Sequence, residues 1–179
     1  ASGMDLELLD WLNTYTFPQE ARYEDPEFAK EAYSIFAEDM KKSPNTRACI
    51  FGTLHVPATE ILMEQLDKTG LKTMVGKVNM DRNGSAKLQE ESAQTSADAT
   101  VRWIEDTLNR FENTNPILTP RFTPSCSDEL MKKLSEIQKK YHLPMQSHLS
   151  ENFGEIAWVK ELCPNTHFYG EAYSQFDLF

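Results

Sequence analysis

No apolar run in this sequence approaches the ~18 residues needed to cross a bilayer, so no membrane partner is expected. The opening Ala1-Ser2-Gly3-Met4-Asp5 lacks the basic region and apolar core of a secretory signal. Cysteine is scarce: Cys49, Cys126 and Cys163 are odd in number, far apart and without CxxC spacing. That argues against a disulfide framework, and a reducing, cytoplasmic setting is expected. Each cysteine reads as a small buried hydrophobe. Basic residues are outnumbered, with 18 Lys and Arg against 28 Asp and Glu, a formal charge of -10 that argues against nucleic acid as a partner. The same charge serves solubility. No GxGxxG loop follows any strand-like segment, which removes the usual dinucleotide signature.

What is present describes a folded α/β chain, with hydrophobic residues at 40% and aromatics at 11%. Residues 4–43 read as a helical lead-in. Leu6, Leu8, Leu9, Trp11 and Leu12 form a short apolar helix from Met4 to Phe17, ended by Pro18. Asp25-Pro26 then starts a second helix, running to about Lys42. Residues 44–179 read as successive βα units. The expected strands are Arg47 to Leu54, Lys72 to Asn79, Ile117 to Phe122, and Met145 to Leu149. Their helices are Pro57 to Asp67, Ala97 to Phe111, Ser127 to Tyr141, and Ile156 to Leu162. The polar stretch Asp81 to Ser96 reads as an exposed loop. Repeated βα units imply a parallel sheet with every strand's carboxyl end on one rim. A barrel is the better fit than a doubly wound sheet. An eight-stranded barrel takes about 250 residues, so four strands with their helices read as part of a (β/α)8, TIM-type barrel. Such a piece has open edges, and a homodimer, or an assembly with the missing barrel part, is expected.

The last two strands carry the unusual residues. Pro120 forfeits a ladder hydrogen bond in what should be a central strand. Arg121 beside it can fork onto a carbonyl or carboxylate, and Phe122 can stack on a planar ring. The plainer alternative is a surface arginine paired with a nearby acid. In the fourth strand His148 shares a face with Gln146, opposite Met145 and Leu149, which would pack under the outer helices. A neutral imidazole there suits zinc. Glu151 reaches back toward His148 only if the chain turns near Ser150, where it can act as general base and acid. The alternative is a satisfied core histidine with a helix-start glutamate. His55, ending the first strand, is a further candidate substrate contact; His142 and His167 read as solvated. Trp11, Trp103 and Trp158 read as packing residues.

Three segments carry a resemblance: Leu9-Asp10-Trp11-Leu12-Asn13-Thr14-Tyr15-Thr16-Phe17-Pro18, Thr119-Pro120-Arg121-Phe122-Thr123-Pro124-Ser125-Cys126, and Gln146-Ser147-His148-Leu149-Ser150-Glu151-Asn152. Together they resemble the guanine deaminases of the amidohydrolase superfamily, from about Met4 to Phe179. The resemblance implies a (β/α)8 barrel with one catalytic Zn2+, hydrolysing guanine to xanthine and ammonia. It implies that His148 is a zinc ligand, that Glu151 shuttles protons between the metal-bound water and the purine, and that Arg121 and Phe122 contact the guanine base. The family's HxH pair is absent from this sequence, and its later zinc histidine and final aspartate are expected beyond Phe179. The chain by itself is therefore expected to lack a complete metal site, since a catalytic zinc wants at least three protein ligands. Two alternatives stay open: another amidohydrolase, acting on a different aminated ring or a chlorinated triazine, or a piece that only folds or assembles.

Overall fold

The structure, a computed structural model, describes residues 5–85 and 87–178. Met4, the expected first residue of the lead-in, lies outside them. The lead-in is one continuous helical run that changes its hydrogen-bond spacing. It passes from α1 (Leu8–Trp11) through a π-helical segment (Leu12–Thr16) to α2 (Phe17–Glu20) and a 3-10 segment (Ala21–Glu24). Pro18 does not end it, contrary to expectation. The π segment resets the register, so Pro18 falls in the first turn of α2, where a missing N–H leaves nothing unsatisfied. Asp25 then caps α3 (Pro26–Lys42), its Oδ1 accepting from Glu27 N at 2.9 Å.

The βα units follow. They are β1 (Arg47–Phe51) with α4 (Val56–Asp67), then β2 (Lys72–Gly76) and β3 (Val78–Asn79) with α5 (Ala93–Thr107). Next come β4 (Thr114–Pro116) and β5 (Thr119–Pro120) with α6 (Asp128–Tyr141), and finally α7 (Phe153–Leu162) and α8 (Glu171–Ser174). Every strand pair is parallel: β1–β2–β4 form one ladder and β3–β5 another. The expected fourth strand makes only a parallel bridge between Leu118 and Met145, extended by Gln146 N to Leu118 O at 2.9 Å and His148 N to Arg121 O at 3.2 Å. Spatial order thus follows chain order without the reversal of a doubly wound sheet. Among the described residues the strands do not close on one another.

The second expected strand is split in two, and of the third, Ile117 to Phe122, only β5 is strand, with β4 lying just before its expected start. Gly76 marks the first break: a Cβ there would sit 1.7 Å from Thr119 Oγ1, so only glycine lets the neighbouring strand come this close. Lys77 turns into the interior, fully buried, where it ion-pairs with Glu90 and donates to Val78 O at 3.1 Å. In the other strand, Pro116 and Pro120 lack the donors that a continuous ladder needs.

The stretch after Asp81 is not the free loop expected. Glu90 pins it, accepting from Lys77 and, at 3.1 Å, from Met80 N, while Leu88 is wholly buried. Its last residues belong to α5, which begins at Ala93 because Ser92 Oγ accepts from Thr95 N at 3.1 Å. A capping serine and a loop serine look alike in composition.

Two apolar clusters result. The larger lies between strands and outer helices around Leu62, Val75, Trp103, Leu118 and Leu130. The smaller packs Leu12 and Phe17 of the lead-in onto Val78, Met80, Leu88 and Phe122 at the strand ends. Burying side chains of this size stabilises by about 1.5–3 kcal/mol each, enough to dock a helix made of such short segments. Of the three cysteines, Cys126 and Cys163 are buried as expected, whereas Cys49 is exposed. Cys126 donates to Asn79 O at 3.1 Å, and burial pushes its thiol up to about 12. Burial also raises the Cys163 thiol. A raised thiol is protonated over a wider pH range, so near pH 8 Cys126 holds little of the reactive thiolate. Alkylation of the native chain at that pH should label Cys49 fast and the other two only after denaturant is added. Three equally fast thiols would contradict this packing.

Candidate active site

All four residues singled out at the strand ends, Arg121, Phe122, His148 and Glu151, line one cavity of about 340 Å³. Glu20 and Trp11 of the lead-in share its wall. The convergence follows from the topology. Parallel strands deliver their carboxyl ends to one rim, and the lead-in crosses that rim because Leu12 and Phe17 have apolar partners there.

His148 is half-buried and doubly held by the residue opposite. Its backbone N–H donates to Arg121 O at 3.2 Å, and its Nδ1 lies 2.7 Å from the same carbonyl. A carbonyl only accepts, so Nδ1 carries the proton and the Nε2 lone pair is the one able to ligate a metal. Phe51 backs the ring, centroids 4.4 Å apart. Tyr173, on α8, donates from its hydroxyl to His148 O at 2.7 Å and accepts from Ser147 Oγ at 2.8 Å and Thr123 N at 3.2 Å. One phenol therefore ties both strand ends together.

The turn required for Glu151 is present. Ser150 adopts a left-handed backbone, φ 56°, a conformation that costs a non-glycine residue about 1–2 kcal/mol. The return comes from Glu155, in the first turn of α7 and fully buried. Its Oε2 accepts from Glu151 N at 2.8 Å and from Asn152 N at 3.3 Å, and its other oxygen accepts from Tyr169. Asn152 Oδ1 in turn accepts from Gly154 N at 2.8 Å, a reciprocal cap. Of the alternative raised for this segment, the imidazole is indeed bonded at Nδ1, whereas Glu151 lies before the helix and the glutamate in the first turn of α7 is Glu155. Leu149, expected under the outer helices, is instead 47% exposed because the turn carries it outward.

Arg121 does pair with an acid, but not on the surface. Its Nη1 donates to Glu20 Oε2 at 2.8 Å, and its guanidinium carbon lies 4.8 Å from the Phe17 ring centroid. His55 is not on the cavity wall. Its Nε2 is buried without a partner, and burial lowers its pKa, which favours the neutral ring. His142 caps α6 in the left-handed region, and His167 pairs with Glu171 at 3.0 Å; both are exposed. Of the tryptophans, Trp103 is fully buried, as expected of packing, and Trp158 is half-buried. Among the described residues no three His, Cys, Asp or Glu side chains are grouped to hold a metal ion.

Glu20, Glu155 and Tyr173 escaped the sequence reading. Glu155 had a local signal, three residues after the capping Asn152. Glu20 is 101 residues from Arg121 and had none.

The amidohydrolase family profile matches residues 2–177. Guanine deaminase of Rattus norvegicus is 41% identical over 178 residues, covering 99% of this chain and 39% of that protein. Guanine deaminase of Escherichia coli (strain K12) is 35% identical over 176 residues, 96% of this chain and 39% of the relative. The crystal structure of guanine deaminase from C. acetobutylicum with guanine bound in its active site superposes with a TM-score of 0.95 at 47% identity, covering 99% of this chain and 42% of that one. The chain thus spans about two fifths of the length of the relatives it matches.

Removing Glu155 should release the turn. Glu155→Ala strands two backbone N–H groups, and we expect a loss of about 2 kcal/mol or more in denaturant unfolding. Faster hydrogen exchange at the Glu151 and Asn152 amides should accompany it. Unchanged exchange there would mean that Glu155 does not hold the loop.

Proposed function

The chain belongs to the amidohydrolase family, and on that premise we propose that it forms part of the active site of a guanine deaminase, hydrolysing guanine to xanthine and ammonia. The supporting observation is the meeting of Arg121, Phe122, His148 and Glu151 in one cavity at the strand ends. His148 fits the role of one ligand to a catalytic Zn2+, its Nε2 left available by the Nδ1 bond to Arg121 O. The remaining ligands are assigned to polypeptide outside residues 1–179, so the chain by itself would lack a complete metal site. Such a zinc, when bound, activates water for attack on a ring carbon. Glu151 takes the proton released and hands it to the departing amine, which leaves as ammonia. Arg121 donates to the ring carbonyl and Phe122 lies against the ring face.

Assembly with the rest of a barrel, or as a homodimer, fits the edge beside Met145, where the ladder thins to a single bridge. It also fits the apolar side chains exposed in the segment after Met145: Leu149, Phe153 and Ile156, at 47%, 90% and 37%. Three free cysteines fit a cytoplasmic setting. No helix among the described residues is long and apolar enough to cross a membrane.

The test is ammonia release by the full-length parent from guanine, adenosine analogues, cytosine and ammeline. Guanine should be strongly preferred. Preference for any other substrate would move the chain to a different amidohydrolase. In that parent, Glu151→Gln should lower turnover by about 10²-fold or more with zinc content unchanged. Retained activity would exclude Glu151 as the shuttle. The isolated chain should hold less than about a tenth of a zinc per molecule, since one imidazole does not make a site.

A further inference from the structure

Glu20 has one oxygen committed and one not. Oε2 accepts from Arg121 Nη1 at 2.8 Å, whereas Oε1 is buried without a hydrogen-bond partner among the described residues. A buried acceptor left unsatisfied costs about 1–3 kcal/mol, a state that makes sense if a ligand supplies the missing donor. The pair is firmly placed: the guanidinium rests on Phe17, and the side chains of Arg121 and Glu20 are only 10% and 14% exposed. Both residues line the cavity that holds His148 and Glu151.

We propose that Glu20 is a specificity-determining residue: with Arg121 it forms a side-by-side donor and acceptor that reads the lactam edge of a neutral purine. Arg121 donates to the ring carbonyl, and Glu20 Oε1 accepts from the adjacent ring N–H. The assignment rests on the guanine deaminase reading and goes beyond it. Because the two charges cancel, the cavity offers no net attraction to an anion, and the apolar Trp11, Leu12 and Phe51 on its wall favour an uncharged ring. Orientation follows from the pattern. An adenine-type edge presents an amine where the lactam has a carbonyl, and a bare ring nitrogen where it has N–H. That edge would set donor against donor and acceptor against acceptor, so rejection is built in alongside recognition.

The test uses the full-length, metal-loaded parent. Glu20→Gln keeps a carbonyl oxygen for Arg121 and replaces the free acceptor by an NH2 donor. We expect KM for guanine to rise about tenfold or more, with kcat within about threefold and melting temperature preserved. The preference for guanine over 1-methylguanine, which lacks the N–H in question, should fall by the same factor as KM rises. An unchanged KM overturns the proposal. So does an equal loss on both purines, which would make Glu20 a mere tether. Should the variant fail to fold, the unmutated enzyme decides: it should bind 1-methylguanine at least about tenfold more weakly than guanine as a competitor, and equal binding refutes the assignment. If the unmutated parent releases no ammonia from guanine, it is the deaminase reading that fails, a result distinct from all of these.

Discussion

The carbonyl oxygen of Arg121 accepts twice from His148, once from its backbone at 3.2 Å and once from its imidazole at 2.7 Å. The first bond sets the register between two neighbouring strand ends where the regular ladder has already stopped. The second orients the ring and selects its tautomer. The side chain of the same residue reaches the other way, to Glu20 in the lead-in. A displacement of this one residue would disturb the strand edge, the prospective metal ligand and the cover of the cavity together. Such sharing suits a site that needs its groups held within a fraction of an ångström.

Around that node the rim is fastened by side chains rather than by ladder bonds. Tyr173 links Thr123, Ser147 and His148, and Glu155 links Glu151, Asn152 and Tyr169. Both anchors come from segments after the last strand end, so the helices that close the outer layer also fix the inner rim. The Lys77–Glu90 pair draws the stretch after Asp81 back against β3. Removing one partner of such a buried pair leaves an uncompensated charge, typically a loss of about 3–5 kcal/mol.

Belonging to the amidohydrolase family and spanning two fifths of its relatives fit together physically. In a barrel each βα unit contributes one or two groups to the common rim, and chemistry arises where several meet. A run of consecutive units can therefore carry a well-formed cavity and a well-oriented imidazole while holding only one prospective metal ligand.

Much was legible along the chain. Asp25-Pro26, the Ser127 cap and the helical spacing of α3 and α6 depend on neighbours within a turn, and they stand where local rules put them. Parallel βα order and the shared rim of Arg121, Phe122, His148 and Glu151 also follow, because period-two strands and right-handed crossovers leave few arrangements. Tertiary structure alone decided the rest. Whether Pro18 ends a helix depended on a π segment and on partners for Phe17 contributed by distant strands. Whether Arg121 pairs at the surface or inside depended on Glu20, far away in sequence. Burial and long-range pairing are properties of the packed chain, and no local pattern encodes which distant residue will arrive.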